Sequence, residues 1–263
     1  MERLLGRMDA LSCRSDLPDN PENVDPWNVR EAVLGIGCAA ADAMGAWELE
    51  LTLIEAVLAS QRARDAPDTD TAQTLFNRYG PLQRLGRVDE AREVLTDCRA
   101  VFAREQDWEQ VALTTGALAD VEAGRGHTEV AVSLMTEALL GLYGAGSAHV
   151  QTLRVAHHNL AVFLASSPER TPEDARRTLL HGLTSVLLGA LVDGVDLGAA
   201  TRLIHLLVPG HEPPPATPEE LVTVMDAEPG LRLADVLARL ATPEEVREKW
   251  SAVVEVWTGA RDD

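Results

Sequence analysis

The chain has 263 residues, of which 46% are hydrophobic and only 4% aromatic, and it carries a formal net charge of −19 at pH 7. A surface with this excess of acid repels phosphates, so we expect neither nucleic acids nor anionic membranes as partners. The apolar residues are mainly alanine and leucine, a mixture that favours packed helices over β-sheet.

Apolar residues recur three or four positions apart along most of the chain, which predicts amphipathic helices. A short helix over 2–12 and a loop rich in Asp, Asn and Pro over 14–26 come first. Four helical hairpins are expected after them. Their paired helices are Trp27–Met44 with Trp47–Arg64, Thr71–Leu85 with Val88–Arg104, Trp108–Ala123 with Thr128–Tyr143, and Val150–Ala165 with Pro172–Val192.

The spacing of large side chains also predicts which of them are buried. In the first helix of the first hairpin, one apolar face is expected to point toward the core. Its members are Val29, Val33, Ile36 and Ala40. We expect the aromatic side chains of Trp108, Trp250 and Trp257 to anchor the packing rather than to contact a ligand.

The helical pattern changes after residue 193. Shorter helices are predicted over Leu197–Val208, Leu221–Ala227, Leu231–Leu240 and Glu244–Trp257. Because a stacked repeat array needs a last unit with a polar outer side, we expect a C-terminal cap or a small appended bundle here.

Three helices are predicted to begin with the same four-residue pattern of threonine, proline and two acids. The threonines are Thr171, Thr217 and Thr242. Threonine caps the free amides of the first turn, proline loses no hydrogen bond there, and the acids face the positive end of the helix dipole. The pattern marks helix starts and indicates no function.

Two consecutive hairpins share a glycine that is followed five residues later by an alanine, at Gly86 with Ala91 and at Gly126 with Ala131. A fixed period of about forty residues is typical of stacked-helix repeats. The hairpins resemble tetratricopeptide repeats (TPRs), in a variant whose helices are longer than those of the standard 34-residue unit. In this respect the hairpins resemble the repeat arrays of large bacterial signalling and conflict-system proteins. The resemblance implies an all-α fold, a right-handed α-solenoid of antiparallel helix hairpins with a C-terminal helical cap.

The helical pattern and the resemblance together predict three regions. They are an N-terminal helix and loop over 1–26, a TPR-like array of about four hairpins over 27–193, and the cap or bundle over 194–263. Small residues are expected wherever two helices of a hairpin approach closely. These repeat-packing positions are Gly45, Gly86, Ala91, Ala119, Gly126, Ala131, Ala161 and Ala175.

In TPR proteins, the first helix of each hairpin lines a concave groove that binds a partner. Carried over residue by residue, this implies seven candidates for partner binding. They are Gln73, Phe76, Asn77 and Arg84 in the second hairpin, and Arg154, His158 and Asn159 in the fourth.

The two asparagines, Asn77 and Asn159, occupy the position at which family members that bind a peptide carboxylate carry asparagine. An amide can donate to the acid and accept from the peptide at once. However, the lysines of that clamp are absent, and Ala117 stands in place of the asparagine in the third hairpin. Ordinary solvation or hydrogen bonding between helices is therefore the alternative role for these side chains.

No motif identifies a reaction, because the sequence has no HExxH, no phosphate-binding GK[ST] and no GxSxG. His157 and His158 diverge by about 100° on a helix and so do not suit one metal ion. We predict no catalytic residue, no cofactor and no metal. Without a secretion profile at residues 1–12 or a CxxC pair, we expect a reduced, cytoplasmic protein.

The leading hypothesis is a non-catalytic TPR-like interaction module or scaffold. It would bind a protein or peptide, basic or with a free carboxylate, in its groove. Three alternatives remain open. One is a ligand-responsive sensor or regulatory domain of a bacterial signalling or defence system, another is an enzyme that uses the superhelix cavity, and the third is a homo-oligomer formed through an end hairpin.

Overall fold

The computed structural model describes residues 26–146, 149–192 and 213–259, together with the single residues 198, 204 and 207. The regular structure in these ranges is entirely helical. The helices are α1 (Pro26–Ala43), α2 (Trp47–Ala63), α3 (Asp68–Phe76), α4 (Tyr79–Arg84), α5 (Val88–Arg104), α6 (Trp108–Gly124), α7 (Thr128–Ala145), α8 (Val150–Ala165), α9 (Pro172–Val192), α10 (Pro218–Met225), α11 (Leu233–Leu240) and α12 (Pro243–Gly259).

Most of these helices match the predicted ones to within a few residues, and α5, α8 and α9 have the predicted bounds. The helix predicted over 2–12 and nearly all of the one predicted over Leu197–Val208 lie outside the described residues. Among the described residues, none of the helices combines the length and the apolar character that a bilayer-crossing segment needs.

The single helix predicted over Thr71–Leu85 was wrong, because the structure divides it into α3 and α4. Asn77 and Arg78 keep right-handed φ and ψ angles, but the regular helical hydrogen bonding is interrupted at these two residues. Pro81 follows four residues after Asn77. In a continuous helix, residue 81 would donate its N–H to the Asn77 carbonyl. Proline has no N–H, and its ring collides with that carbonyl oxygen. The helix therefore ends before the proline and begins again at Tyr79.

A glycine in left-handed conformation ends the first helix of three hairpins. The φ angles of Gly45, Gly86 and Gly126 are 66°, 75° and 80°. In each turn the residue after the glycine donates its N–H to the carbonyl five residues earlier, as from Arg87 to Leu82 at 2.8 Å. This is the Schellman pattern, which satisfies the last carbonyls of a helix. A β-carbon at Gly86 or Gly126 would meet nothing within 4 Å, so the backbone conformation is what requires glycine there.

The chain divides into two compact units, residues 1–105 and 106–263. In the first unit α1 packs on α2, and α3 and α4 pack on α2 and α5. An ion-pair network joins the first three helices, because the Arg64 guanidinium binds Glu31 at 3.1 and 3.2 Å and Asp70 at 3.1 Å.

The buried face of α1 differs from the predicted one. Leu34 and Ala41 are buried against Leu53 and Val57 of α2, whereas Val29 and Ile36 are 41% and 70% exposed. The expectation that the four residues face the core was wrong for Val29, Ile36 and Ala40, which are exposed, whereas Val33 is half-buried. Apolar and small residues lie on every side of α1, so the spacing alone did not single out one face.

In the second unit the helices α6, α7, α8 and α9 pack in chain order, and α10, α11 and α12 pack on α9. One continuous core runs through these elements. All residues of α9 from Thr178 to Ala190 are buried. Trp250 and Trp257 are buried in the same core, but Trp108 is 59% exposed. Its predicted role as a packing anchor was therefore wrong, since it is the first residue of α6 and lies at the helix end.

The repeat-packing alanines differ in burial. Ala91, Ala119, Ala131 and Ala161 are fully buried, and Ala175 is half-buried. At Ala91 and its equivalents, therefore, no space remains for a larger side chain unless the neighbouring helix moves.

The three threonine-led helix starts form the predicted caps. The backbone N–H groups of Asp174, Glu220 and Glu245 donate to the hydroxyl oxygens of Thr171, Thr217 and Thr242 at 3.1, 3.2 and 3.3 Å. At Thr171 and Thr242 the acid side chain also accepts from the threonine N–H, which completes the capping box.

Candidate binding surface

The first helices of the third and fourth hairpins, α6 and α8, carry a partly accessible polar surface. Asp120 of α6 and Asn159 of α8 join the two helices, because the Asn159 Nδ2 donates to Asp120 Oδ1 at 3.1 Å. His158 is the residue before Asn159 on α8, and Arg154 and Val155 lie one turn earlier, as the i, i+4 neighbours of His158 and Asn159. We call these five residues the α6/α8 surface.

The two titratable groups on this surface respond to burial in opposite ways. Burial raises the pKa of Asp120 to about 6, although the hydrogen bond from Asn159 lowers this pKa in part. Desolvation lowers the pKa of His158, and the charge of Arg154 lowers it further. At neutral pH the surface therefore combines a carboxylate held in poorly solvated surroundings with a neutral imidazole.

The remaining members of the surface add a cation and an apolar contact. The Arg154 Nε donates to the Gln151 Oε1 at 2.9 Å, in an exposed position. Val155 is 42% exposed. A guanidinium suits a carboxylate or a carbonyl oxygen, and an exposed valine suits an apolar side chain.

Asn159 uses its amide group inside the protein, since the hydrogen bond to Asp120 occupies a donor that a carboxylate clamp would present to its ligand. This geometry fits the interhelical role that the sequence left open as the alternative. A ligand could still reach the pair by exchanging one hydrogen bond for another.

The candidates in the second hairpin do not form a comparable cluster. Gln73 and Asn77 are exposed, and Asn77 is the residue at which α3 ends rather than an interior helix position. Phe76 is half-buried, and its ring lies 5.1 Å from that of Tyr79. The Arg84 guanidinium lies 5.7 Å from the ring centroid of Trp47, a distance at which a cation and an aromatic face attract each other.

A buried polar chain lies behind the α6/α8 surface, in the core of the second unit. The Nδ1 atoms of His157 and His181 are 2.8 Å apart, and the Tyr143 hydroxyl lies 2.9 Å from His157 Nε2. Because two Nδ1 atoms share one hydrogen, one imidazole donates and the other accepts. His181 Nε2 has no partner among the described residues.

Both imidazoles are neutral in this core. Burial lowers the pKa of His157 to about 3. Burial also lowers the pKa of His181 well below its ordinary value, and the charges of His157 and Arg177 lower it further. In the described part of the chain, no group of three or more His, Cys, Asp or Glu side chains is placed to hold a metal ion. The sequence places His157 beside His158 but does not reveal the contact of His157 with His181, because that contact depends on how α9 packs against α8.

A cleft lies among the helices α10, α11 and α12. This cleft has a volume of about 920 Å³ and is lined mainly by apolar side chains, including Val222, Leu237, Leu240 and Val246. Its size is in the range of sites for small molecules or peptide segments. The sequence did not indicate it, because its walls come from three separate helices.

Comparison with known proteins gives fold relationships only. No protein-family model and no curated protein matches the sequence. The structure is similar to the crystal structure of BtubC (BKLC) from P. vanneervenii, with a TM-score of 0.59, 14% identity, and coverage of 94% of this chain and 88% of that one. It is also similar to a protein of Podosopora anserina described as a kinesin light chain with nearly identical TPR-like repeats. In that case the TM-score is 0.50, the identity is 15%, and 85% of this chain and 94% of that one are covered.

These similarities agree with the helical hairpins described above, and they confirm the fold class that the repeat pattern predicted. The chain has the TPR-like α-solenoid fold.

Proposed function

We propose that this chain is a non-catalytic interaction module that binds a peptide or protein segment on the α6/α8 surface. Proteins with TPR-like folds generally bind other proteins or peptides. The observation that carries the proposal is the half-buried Asp120–Asn159 pair, which lies beside Arg154, His158 and the exposed Val155. This pair supports binding because a bound segment needs polar side chains on the first helices, which hydrogen-bond its backbone and pair with its charges.

The chemistry of the surface favours a basic segment. The Asp120 carboxylate can accept from a lysine, an arginine or a peptide N–H, and the low solvation that raises its pKa to about 6 also strengthens such a bond. The formal net charge of −19 adds a long-range attraction for a basic partner.

A free carboxylate on the partner would bind the Arg154 guanidinium, because a carboxylate and a guanidinium can form two parallel hydrogen bonds. We therefore propose that the partner is a short, extended and mainly basic segment. Its free C-terminal carboxylate would lie near Arg154. We also propose a scaffold role in the cytoplasm. The free thiols of Cys38 and Cys98 support a reducing compartment.

The test is a fluorescence-polarisation array of short labelled peptides that vary in basic charge and in whether the C-terminus is free or amidated. Arg154→Ala should weaken binding of the selected peptides by roughly tenfold, about the value of one charge-assisted hydrogen bond, and His158→Ala by about threefold, because a neutral imidazole makes a weaker bond. Arg154→Ala should also abolish any preference for a free C-terminus.

The matched control is Ser133→Ala, which changes an exposed side chain on α7, the second helix of the same hairpin as α6. It should bind as the unchanged protein does. If both α8 variants bind like this control, or if no peptide in the array binds, the proposal is wrong. Gln73→Ala and Asn77→Ala in the same array test the second hairpin separately.

A further inference from the structure

The cleft among α10, α11 and α12 is an apolar site that the proposed function does not use. Leu237 and Val246 line it as buried residues, and Val222 and Leu240 line it as half-buried ones. Its volume of about 920 Å³ lies within the range of small-molecule sites. Because its walls belong to other helices than α6 and α8, this cleft can be tested separately from the α6/α8 surface.

Three charged side chains line the cleft, and two of them are carboxylates. They are Glu219, Glu245 and Arg239. The Arg239 guanidinium is already engaged at the end of α7, because its Nη1 donates to the Gly146 carbonyl oxygen at 2.6 Å. The charge that faces a ligand in the cleft is therefore mainly negative.

Hydrogen bonds keep both carboxylates ionised at neutral pH. The bond from its own backbone N–H and the bond from Arg247, at 2.8 Å, lower the pKa of Glu219. Glu245 accepts from the backbone N–H and the hydroxyl of Thr242, each at 2.8 Å, and these bonds lower its pKa. Because a carboxylate has about four acceptor positions, each of the two can accept a further hydrogen bond from a ligand.

The short walls limit the length of the ligand. The helices α10 and α11 have 8 residues each, so each is about 12 Å long. A long peptide segment would extend beyond these walls and leave most of its surface in water. A compact molecule, in contrast, can bury most of its surface in a cleft of this size.

We infer that this cleft binds a small amphiphilic cation, with an apolar body and one ammonium group. The apolar body would contact Val222, Leu237 and Val246, and its removal from water would supply most of the affinity. The ammonium group would lie against Glu219 and Glu245. Charge-assisted hydrogen bonds to these carboxylates would orient the ligand and select a cation over a neutral or anionic molecule.

The experiment is isothermal titration calorimetry of the full chain at pH 7 with octylammonium. Two probes with the same alkyl chain, 1-octanol and octyl sulfate, are titrated in parallel. We expect one saturable site for octylammonium, weaker binding of 1-octanol and the weakest binding of octyl sulfate.

A charge variant tests the role of the carboxylates. Glu245→Gln should weaken octylammonium binding by about two- to fivefold and leave 1-octanol binding unchanged. The variant should keep its fold, since glutamine also completes a capping box. The matched control is Glu244→Gln, because Glu244 is an exposed acid in the same helical turn but does not line the cleft. It should bind both probes as the unchanged protein does.

A second variant tests the location of the site. Ala238 lines the cleft and is exposed, so Ala238→Trp should fill the cleft without entering the core, and a thermal melt checks the fold. We expect it to abolish the binding of octylammonium and of 1-octanol. Ala100→Trp, at an exposed alanine on α5, should abolish neither.

Four results would overturn the inference. One is the absence of saturable octylammonium binding, and another is equally tight binding of 1-octanol or octyl sulfate. The third is equal binding by a variant and its control. The fourth is a dimer in sedimentation that Ala238→Trp dissociates, since a second copy of the chain would then occupy the cleft.

Discussion

Two buried side chains and one half-buried side chain should make the stability of this protein depend on pH. Asp120 is a carboxyl that burial makes harder to ionise, whereas His157 and His181 are imidazoles that burial makes harder to protonate. All three lie in the second unit, on or behind the proposed binding surface. Their effects on stability have opposite signs, so variants can separate them.

Asp120→Asn should stabilise the protein at neutral pH. The pKa of Asp120 is raised to about 6 in the folded state, so its contribution to stability is present below the unfolded pKa near 3.9 and is lost as the pH rises through 6. Asparagine keeps an oxygen for the Asn159 amide and never ionises. We expect a gain of about 1–3 kcal/mol at pH 7 and almost none at pH 4, measured by urea unfolding. An equal gain at both values would contradict the proposed cause.

The buried histidine pair should make the protein less stable in mild acid. Because the pKa of His157 is lowered to about 3, the unfolded chain takes up a proton that the folded chain does not. Full stability is therefore present above about pH 6.5 and is lost as the pH falls, by about 1.4 kcal/mol per pH unit for each imidazole. His181→Gln, which leaves a hydrogen-bond partner for His157, should reduce this slope.

The control for the His181→Gln variant is His149→Gln, which replaces an exposed imidazole. Its unfolding free energy should follow the same pH dependence as the unchanged protein. If His181→Gln and His149→Gln give identical slopes between pH 5 and 7, the pair does not control acid stability.

The helices themselves follow local sequence rules wherever one rule acts alone. Threonine, proline and two acids start a helix three times, and a left-handed glycine closes a hairpin three times. The rule fails where two signals compete. In the second hairpin an apolar periodicity that continues through Pro81 predicts one helix, but this proline, the third residue of α4, cannot bond to the Asn77 carbonyl, and α3 ends before it.

Tight packing of hairpin helices around small residues can be tested within α5. Ala91 is fully buried, so Ala91→Trp should destabilise the protein by about 3 kcal/mol or more. Ala100 is exposed on the same helix, and Ala100→Trp should change the unfolding free energy by less than about 0.5 kcal/mol. Thermal and denaturant melts check both. Equal stability of the two variants would show that Ala91 does not sit at a close helix contact.

At the scale of the whole molecule, the acidic surface dominates. With 42 acidic and 23 strongly basic residues, like charges repel one another in the folded state more than in the expanded unfolded state. Several ion pairs are exposed, such as Arg104 with Asp68 at 2.6 Å, and exposed pairs contribute little to stability. Repulsion should therefore outweigh these pairs.

Screening this repulsion should raise the melting temperature. We expect an increase of a few degrees between about 20 and 300 mM NaCl, measured by calorimetry at pH 7.5. Choline chloride at the same ionic strength should have a similar effect, because screening does not depend on which cation is added. A melting temperature that falls with salt would mean that the ion pairs outweigh the repulsion.

Read by itself, the sequence determined the helical class, the hairpin turns, the helix starts and the repeat, because each depends on neighbours within a few positions along the chain. The tertiary structure alone decided which side of α1 is buried, which histidine meets His157, and that Asp120 is the partner of Asn159. These contacts join different helices, and Asp120 and Asn159 lie on helices that are not consecutive in the chain. Their geometry depends on the packing of whole helices, which no local pattern of residues specifies.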